Sequence, residues 1–294
     1  MFLVDSLYYI VFETPNVERM ADFYTNVIGL VETSCSREDQ VVLGIDRDRP
    51  TLVLRRAEAA RVGEIGFFLR GHQGWNGLRR QLSAQGIMFR EDVQENLGPT
   101  LSFEDCDGHL LRFHLQEKAA ALRHTPRLGP RVIRLQHLAY ASPNPEKMAR
   151  FYVDVMNYKI SDMMEDGHFY WLRTNMEHHT VSVVAGKRPG LDHFAFELPD
   201  WNAFELWCDF LAMHNVDILW GPGRHGPGHN LFFFVLDPDG NRLEFTSELE
   251  VFRDEYLMHT PRVWRRTPRT INLWGPEAPW LRELPQNEEK DGIG

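Results

Sequence analysis

The chain repeats itself. Leu7–Leu30 reads LYYIVFETPNVERMADFYTNVIGL and Leu135–Tyr158 reads LQHLAYASPNPEKMARFYVDVMNY, so Pro-Asn, Glu-x-Met-Ala and Phe-Tyr recur in register at an offset of 128 residues. A second pair follows, EIGFFLR at Glu64–Arg70 against LDHFAFE at Leu191–Glu197. A third closes each half, LSFEDCDGHLLRFH from Leu101 against LFFFVLDPDGNRLEFT from Leu231. Self-similarity at a fixed period means that one structural unit is used more than once. The expected organisation is two domains, residues 1–130 and 131–294, joined near Gly129–Arg134, each built from one short module used twice.

Local chemistry defines the module. Leu135–Ala141 is an apolar run suited to a buried strand, and Pro143 and Pro145 then punctuate it. Glu146–Met156 places Met148, Phe151, Tyr152 and Val155 at helical spacing, with Asn144 before Pro145 as the expected N-cap. Tyr170–Asn175 and Thr180–Ala185 read as strands around a turn near Met176–Glu177. Asp237-Pro238-Asp239-Gly240 is a turn between Leu231–Leu236 and Arg242–Thr246, two antiparallel strands. The order strand, helix, three strands gives an α+β fold of tandem βαβββ modules. Their curved, mostly antiparallel sheets should surround a cavity, with helices outside.

Composition removes several function classes. Lys and Arg number 32 against 42 Asp and Glu, a net charge of −10, which argues against a nucleic-acid partner. Cys35, Cys106 and Cys208 are odd in number and lack metal-ligand spacing, so disulfides and a thiolate zinc site are not expected. The start MFLVDSLYYI has no basic segment, and no apolar run approaches membrane-spanning length. The expectation is a soluble cytoplasmic protein without a membrane partner.

The two copies differ where chemistry would sit. The C-terminal copy carries His137 and His193 on the first strands of its modules and Glu244 on its last strand. Matched by sequence, the N-terminal copy has Tyr9, Gly66 and Arg112, a set that cannot bind a cation. Two imidazoles and a carboxylate on one face of a divalent ion leave open positions for a bidentate substrate and O2, which suits non-haem Fe(II).

With LQHLAY, LDHFAFEL, GPGRHGPGHNLFFF, DPDGNRLEF and TINLWGP in place, the chain resembles the type I extradiol ring-cleaving dioxygenases of the vicinal oxygen chelate superfamily. The resemblance implies Fe(II), with Mn(II) as an alternative, held by His137, His193 and Glu244. It implies a small catecholic substrate, O2 as co-substrate and a homo-oligomer. His178 matches the family's acid–base histidine, and the adjacent His179 would point away from it on a strand. His225 matches a second pocket histidine, while His229 would support the loop. Where the family commonly has a Tyr that binds a catechol oxygen, Phe234 stands here, with Tyr256 or His225 as candidates to compensate. Trp201, Trp207 and Trp220 are expected in the core and pocket wall, and Arg262, Arg265, Arg266 and Arg269 on a solvated or intersubunit surface. The alternatives within the superfamily are a hydroquinone-cleaving dioxygenase, a glyoxalase-like metalloenzyme and a non-catalytic ligand-binding protein.

Overall fold

In a computed structural model, residues 1–94, 98–115, 129–253, 259–267 and 269–281 are described. The first half opens with β1 (Val4–Thr14), α1 (Val17–Asp22) running on into a π-helical turn over Phe23–Ile28, β2 (Val31–Glu32), β3 (Gln40–Gly44) and β4 (Leu52–Arg56). The module then recurs as β5 (Arg61–Leu69), α2 (Gly71–Ala84), β6 (Arg90–Gln94), β7 (Gly98–Glu104) and β8 (Leu110–Leu115). The second half repeats it as β9 (Leu135–Ser142), α3 (Pro145–Met156), β10 (Lys159–Met164), β11 (Phe169–Arg173) and β12 (Val181–Ala185). The last module is β13 (Gly190–Glu197), α4 (Trp201–Met213), β14 (Trp220–Arg224), β15 (Leu231–Leu236) and β16 (Arg242–Ser247). A short β17 (Arg262–Trp264) and a 3-10 turn at Pro279–Leu281 follow. Among the described residues no helix is long and apolar enough to cross a membrane.

Each half makes one sheet. The strand orders are β2-β3-β4-β1-β5-β8-β7-β6 and β14-β15-β16-β13-β9-β12-β11-β10-β17. The first strands of two modules lie antiparallel at the centre of each sheet, and each pairs in parallel with the last strand of its own module. Three neighbouring strands, β9, β13 and β16, therefore offer adjacent side chains to one concave face. Helix α3 starts as expected, with the Asn144 carboxamide oxygen accepting from the Lys147 N–H at 3.0 Å and Pro145 in the first turn; such a cap contributes about 1 kcal/mol. Asp200 caps α4 in the same way, accepting from Ala203 N–H at 3.1 Å.

The halves share one apolar core. Phe12 and Phe194 meet with ring centres 5.3 Å apart, and Tyr24 donates from its hydroxyl to Asp237 at 2.7 Å. Trp207 is fully buried against Phe245, and Trp220 is buried, whereas Trp201 lies half exposed on the surface, contrary to the expected core place.

Register corrects one correspondence between the copies. Tyr9 pairs with Gly66 and Gly66 with Arg112, while His137 pairs with Ala195 and Ala195 with Glu244. Gly66 is therefore the counterpart of Ala195, and the counterpart of His193 is Glu64. The sequence match of these two strands is thus displaced by two residues from their match in strand pairing. The Tyr9 hydroxyl donates to Glu64 at 2.6 Å and the Arg112 guanidinium donates to its other oxygen at 2.7 Å. Where the second half gathers two imidazoles and a carboxylate, the first half has filled the space with a hydrogen-bonded Tyr–Glu–Arg trio. Gly66 makes that possible, because a Cβ there would stand 2.5 Å from the Tyr9 ring. Gly66→Ala should cost about 1–3 kcal/mol in urea unfolding through overpacking. Its added cost should nearly vanish in a Tyr9→Ala background; strictly additive penalties would refute the steric account.

Candidate metal centre

His137, His193 and Glu244 bring one ligand atom each to within 4.8 Å of one another. His137 Nε2 lies 3.2 Å and His193 Nε2 3.3 Å from Glu244 Oε2. Both rings are aimed from behind. The Gln136 side-chain oxygen takes the His137 Nδ1 proton, and Asp192 Oδ2 takes that of His193 at 2.7 Å. Asp192 is itself bound by Arg242, and Asn230 Nδ2 donates to Glu244 Oε1 at 3.1 Å. With Nδ1 committed in each ring, Nε2 is left as the inward-facing donor, the arrangement that orients metal-binding histidines. Glu244 and His137 are almost wholly buried, while His193 keeps 17% of its side chain exposed. Two neutral nitrogen donors and one anionic oxygen on one face fit a divalent ion such as Fe(II) or Mn(II).

The electrostatics agree. Burial works to raise the Glu244 pKa, yet the imidazoles of His137 and His193 hold the carboxyl well below its usual range. Burial lowers His137, outweighing its attraction to Glu244. His193 goes the other way: burial opposes its charge, but hydrogen bonds to Asp192 and Glu244 lift it to about 9.

Two more histidines face the same cavity, and they are His225 and His179. His225 gives its Nδ1 proton to the Ile271 carbonyl, its ring stacks on Phe232 at 3.8 Å between centres, and Nε2 points 3.9 Å from Glu244 Oε1. Burial, helped by the neighbouring His193 and His137, lowers it to about 4 against the pull of Glu244, so it is neutral at pH 7.

The placement of His178 toward the cavity is corrected. His179 lines the cavity, with its ring centre 4.4 Å from that of His137, while His178 is fully buried one layer behind. Alternation along a strand does not apply here, because the chain leaves β11 at Arg173 and re-enters β12 at Val181. Between them Glu177 bridges to Val251 and His178 N–H donates to the Glu250 carbonyl at 2.8 Å, which turns the His178 ring inward. His178 Nε2 stands 3.0 Å from Asp162 Oδ2, off the axis of a straight hydrogen bond, and its Nδ1 lies 2.9 Å from His179 Nδ1. Asp162 also receives the Arg262 and Trp264 donors at 2.7 and 2.6 Å, and together with His178 these outweigh burial and keep it ionised. A carboxylate attracts the proton of His178 to Nε2, leaving Nδ1 to accept from His179 Nδ1–H. With the protons assigned in this way, His179 presents an unprotonated Nε2 to the cavity.

Phe234 lies opposite Glu244 in the β15–β16 ladder and lines the cavity, its ring 5.2 Å from that of His193. Tyr256 falls outside the described residues. His229 contributes backbone, its carbonyl accepting from Arg224 at 2.7 Å. Arg262 and Arg266 are not free surface charges: they bind Asp162 and Glu250, and Glu277 with the Leu281 carbonyl. Sequence reasoning missed Gln136, Asp192, Asn230 and Asp162. For the first two a signal existed, a polar acceptor immediately before each ligand histidine.

Because His193 holds a proton up to about pH 9 without metal, an incoming ion must displace it. Affinity for a divalent metal should rise about tenfold per pH unit through neutrality and level off above the His193 pKa, with about one proton released per ion. Chelator competition and calorimetry in buffers of different ionisation enthalpy measure both; a pH-independent affinity would contradict this ion-pair assignment.

Comparisons place this geometry. A sequence model of the Glyoxalase/Bleomycin resistance protein/Dioxygenase superfamily matches residues 134–245, which include His137, His193 and Glu244. The chain is 26% identical over 299 residues to an iron-dependent extradiol dioxygenase of Rhodococcus jostii, covering 92% of this chain and 96% of that one. It is 25% identical over 273 residues, 84% of each chain, to a manganese-dependent 2,3-dihydroxybiphenyl 1,2-dioxygenase of Geobacillus genomosp. 3. The crystal structure of a Mn(II)-bound glyoxalase from Novosphingobium aromaticivorans superposes with a TM-score of 0.84 at 26% identity, covering 99% of this chain and 97% of that one. Over residues 134–245 the chain is thus similar to the glyoxalase and dioxygenase (vicinal oxygen chelate) superfamily, and over most of its length to extradiol dioxygenases.

Proposed function

We propose that this protein opens a catecholic ring beside its two hydroxyls, using O2 at a single Fe(II) held by His137, His193 and Glu244. The observation that carries the reading is the pair of additional histidines, His179 and His225, facing the same cavity as the ligand trio. A metal in that trio supplies Lewis acidity and the electron transfer that lets O2 react with an aromatic ring; Mn(II) takes the same donors.

The chain's own groups handle protons and position. A catechol must lose hydroxyl protons to chelate, and a proton must return later. His179 Nε2, unprotonated and inside the cavity, accepts and returns it. Its partner chain to His178 and Asp162 fixes which nitrogen does so. His225, neutral and held by the Ile271 carbonyl, offers a lone pair to a substrate hydroxyl. Phe234 cannot donate a hydrogen bond, so it packs against the ring and keeps water out.

The second reading is a glyoxalase-like isomerisation, favoured by the likeness to the Mn(II)-bound glyoxalase. An isomerase consumes no O2, so oxygen uptake separates the two. Protein loaded anaerobically with Fe(II) should consume O2 and a catechol one for one while a yellow ring-fission chromophore grows. No uptake with simple and aryl catechols would overturn the proposal. A homo-oligomer and a cytoplasmic location belong to the same proposal, and the exposed pair Trp201 and Trp274 gives a second copy an apolar surface to cover. Light scattering tests the assembly.

Replacing His179 by Phe should keep the metal yet lower kcat about 10²–10⁴-fold, the usual contribution of an acid–base group. His178→Phe removes only the orienting partner and should cost less. Normal turnover in His179→Phe beside an inactive His178→Phe would reverse these roles.

A further inference from the structure

Above the polar floor of the site the cavity wall is aromatic and aliphatic. Phe169 and Trp171 come from β11, Trp220 from β14, Phe234 from β15, and Ile271 and Trp280 from the segment after β17. Trp220, Phe234 and Trp280 form a packed box, with ring centres 5.4 to 5.7 Å apart. The charged side chains among the described lining residues are Glu244, Asp192 and the paired His193; no Lys or Arg lines the cavity among them.

Two guanidinium groups touch the wall without lining it, and both are committed. Arg242 lies 4.8 Å from the Trp280 ring centre, but its charge is bound to Asp192. Arg266 holds the Leu281 carbonyl at 2.8 Å and pairs with Glu277. A carboxylate carried by the substrate would leave water for an aromatic wall with no counter-ion among its described lining residues, near two protein carboxylates. That transfer is strongly unfavourable. A neutral aryl or alkyl group there loses only its contact with water and gains stacking and dispersion.

We propose, resting on the ring-cleavage reading, that the cavity selects catechols bearing an uncharged, apolar substituent and rejects those bearing a carboxylate. Trp280 and Phe234 are then specificity-determining residues. The Trp280 side acts through the substituent, because the polar floor takes the two hydroxyls.

The test is equilibrium binding to the metal-loaded protein without oxygen, read by quenching of tryptophan fluorescence, followed by kcat/KM with O2. The probes are catechol, 4-methylcatechol, 2,3-dihydroxybiphenyl, 3,4-dihydroxybenzoate and 3,4-dihydroxyphenylacetate. 2,3-Dihydroxybiphenyl should bind at least about tenfold tighter than catechol, and each carboxylated probe at least about tenfold weaker than 4-methylcatechol. Trp280→Ala should narrow the gap between 2,3-dihydroxybiphenyl and catechol. Carboxylated probes that bind and react as well as 4-methylcatechol would overturn the selectivity while leaving ring cleavage standing. An unchanged gap in Trp280→Ala would overturn the role of that wall. Absence of binding and cleavage for every probe would overturn both readings together.

Discussion

A buried, ionised carboxylate must be answered, and the second half of this chain is organised around answering Glu244. With 1% of its side chain exposed, Glu244 relies on neighbouring protein groups to stabilise its charge. Two imidazoles face one oxygen and the Asn230 amide holds the other. Breaking such a set by removing one partner leaves an uncompensated charge, which is far costlier than the set is stabilising. Without a metal the answer is a proton on His193. A divalent ion that displaces it meets the same anion with twice the charge, so the protein is pre-arranged for a cation.

The first half solves the same geometric problem without a cation. Its three corresponding strands carry Tyr9, Glu64 and Arg112, and the guanidinium neutralises Glu64 directly. The carboxylate has moved from the last strand to the first strand of the second module, and the positive charge has become part of the protein. Such a site is closed to a cation, since its carboxylate already pairs with the Arg112 guanidinium and the Tyr9 hydroxyl. Duplication thus gave one scaffold two ways of satisfying a concave polar centre.

The architecture was legible because the repeat and the turn signals are local, and the candidate trio because the two copies differ at its positions. His137, His193 and Glu244 converge as the strand reading expected. What failed was register. The correspondence of Gly66 with His193 followed likeness of sequence, whereas strand pairing sets Gly66 in the place of Ala195. The choice of His178 over His179 assumed a strand where backbone pairing with Val251 and Glu250 bends the chain. Both errors come from long-range backbone hydrogen bonds, which leave no mark in a local pattern. Asp162 was invisible for a related reason: nothing in the sequence near it shows that β10 will lie behind a histidine sixteen residues onward.

Asp162 also explains how a segment after the repeats reaches the chemistry. It is as buried as Glu244 and lies on the far side of His179, so two fixed anions flank one neutral imidazole through different intermediaries. Glu244 acts through the ligand His137, and Asp162 through His178. The second anion depends on β17, whose Arg262 and Trp264 donate to its two oxygens while the strand pairs with β10. Lose those donors and Asp162 keeps only His178 as a partner. The charge would then draw a proton toward His178 rather than merely orient it, and His179 would face a cation instead of an acceptor. Its Nδ1 could no longer donate, and Nε2 would carry the proton into the cavity. Docking of the C-terminal strand and the readiness of His179 to accept a proton are therefore one condition, set by two hydrogen bonds to a carboxylate outside the described cavity lining.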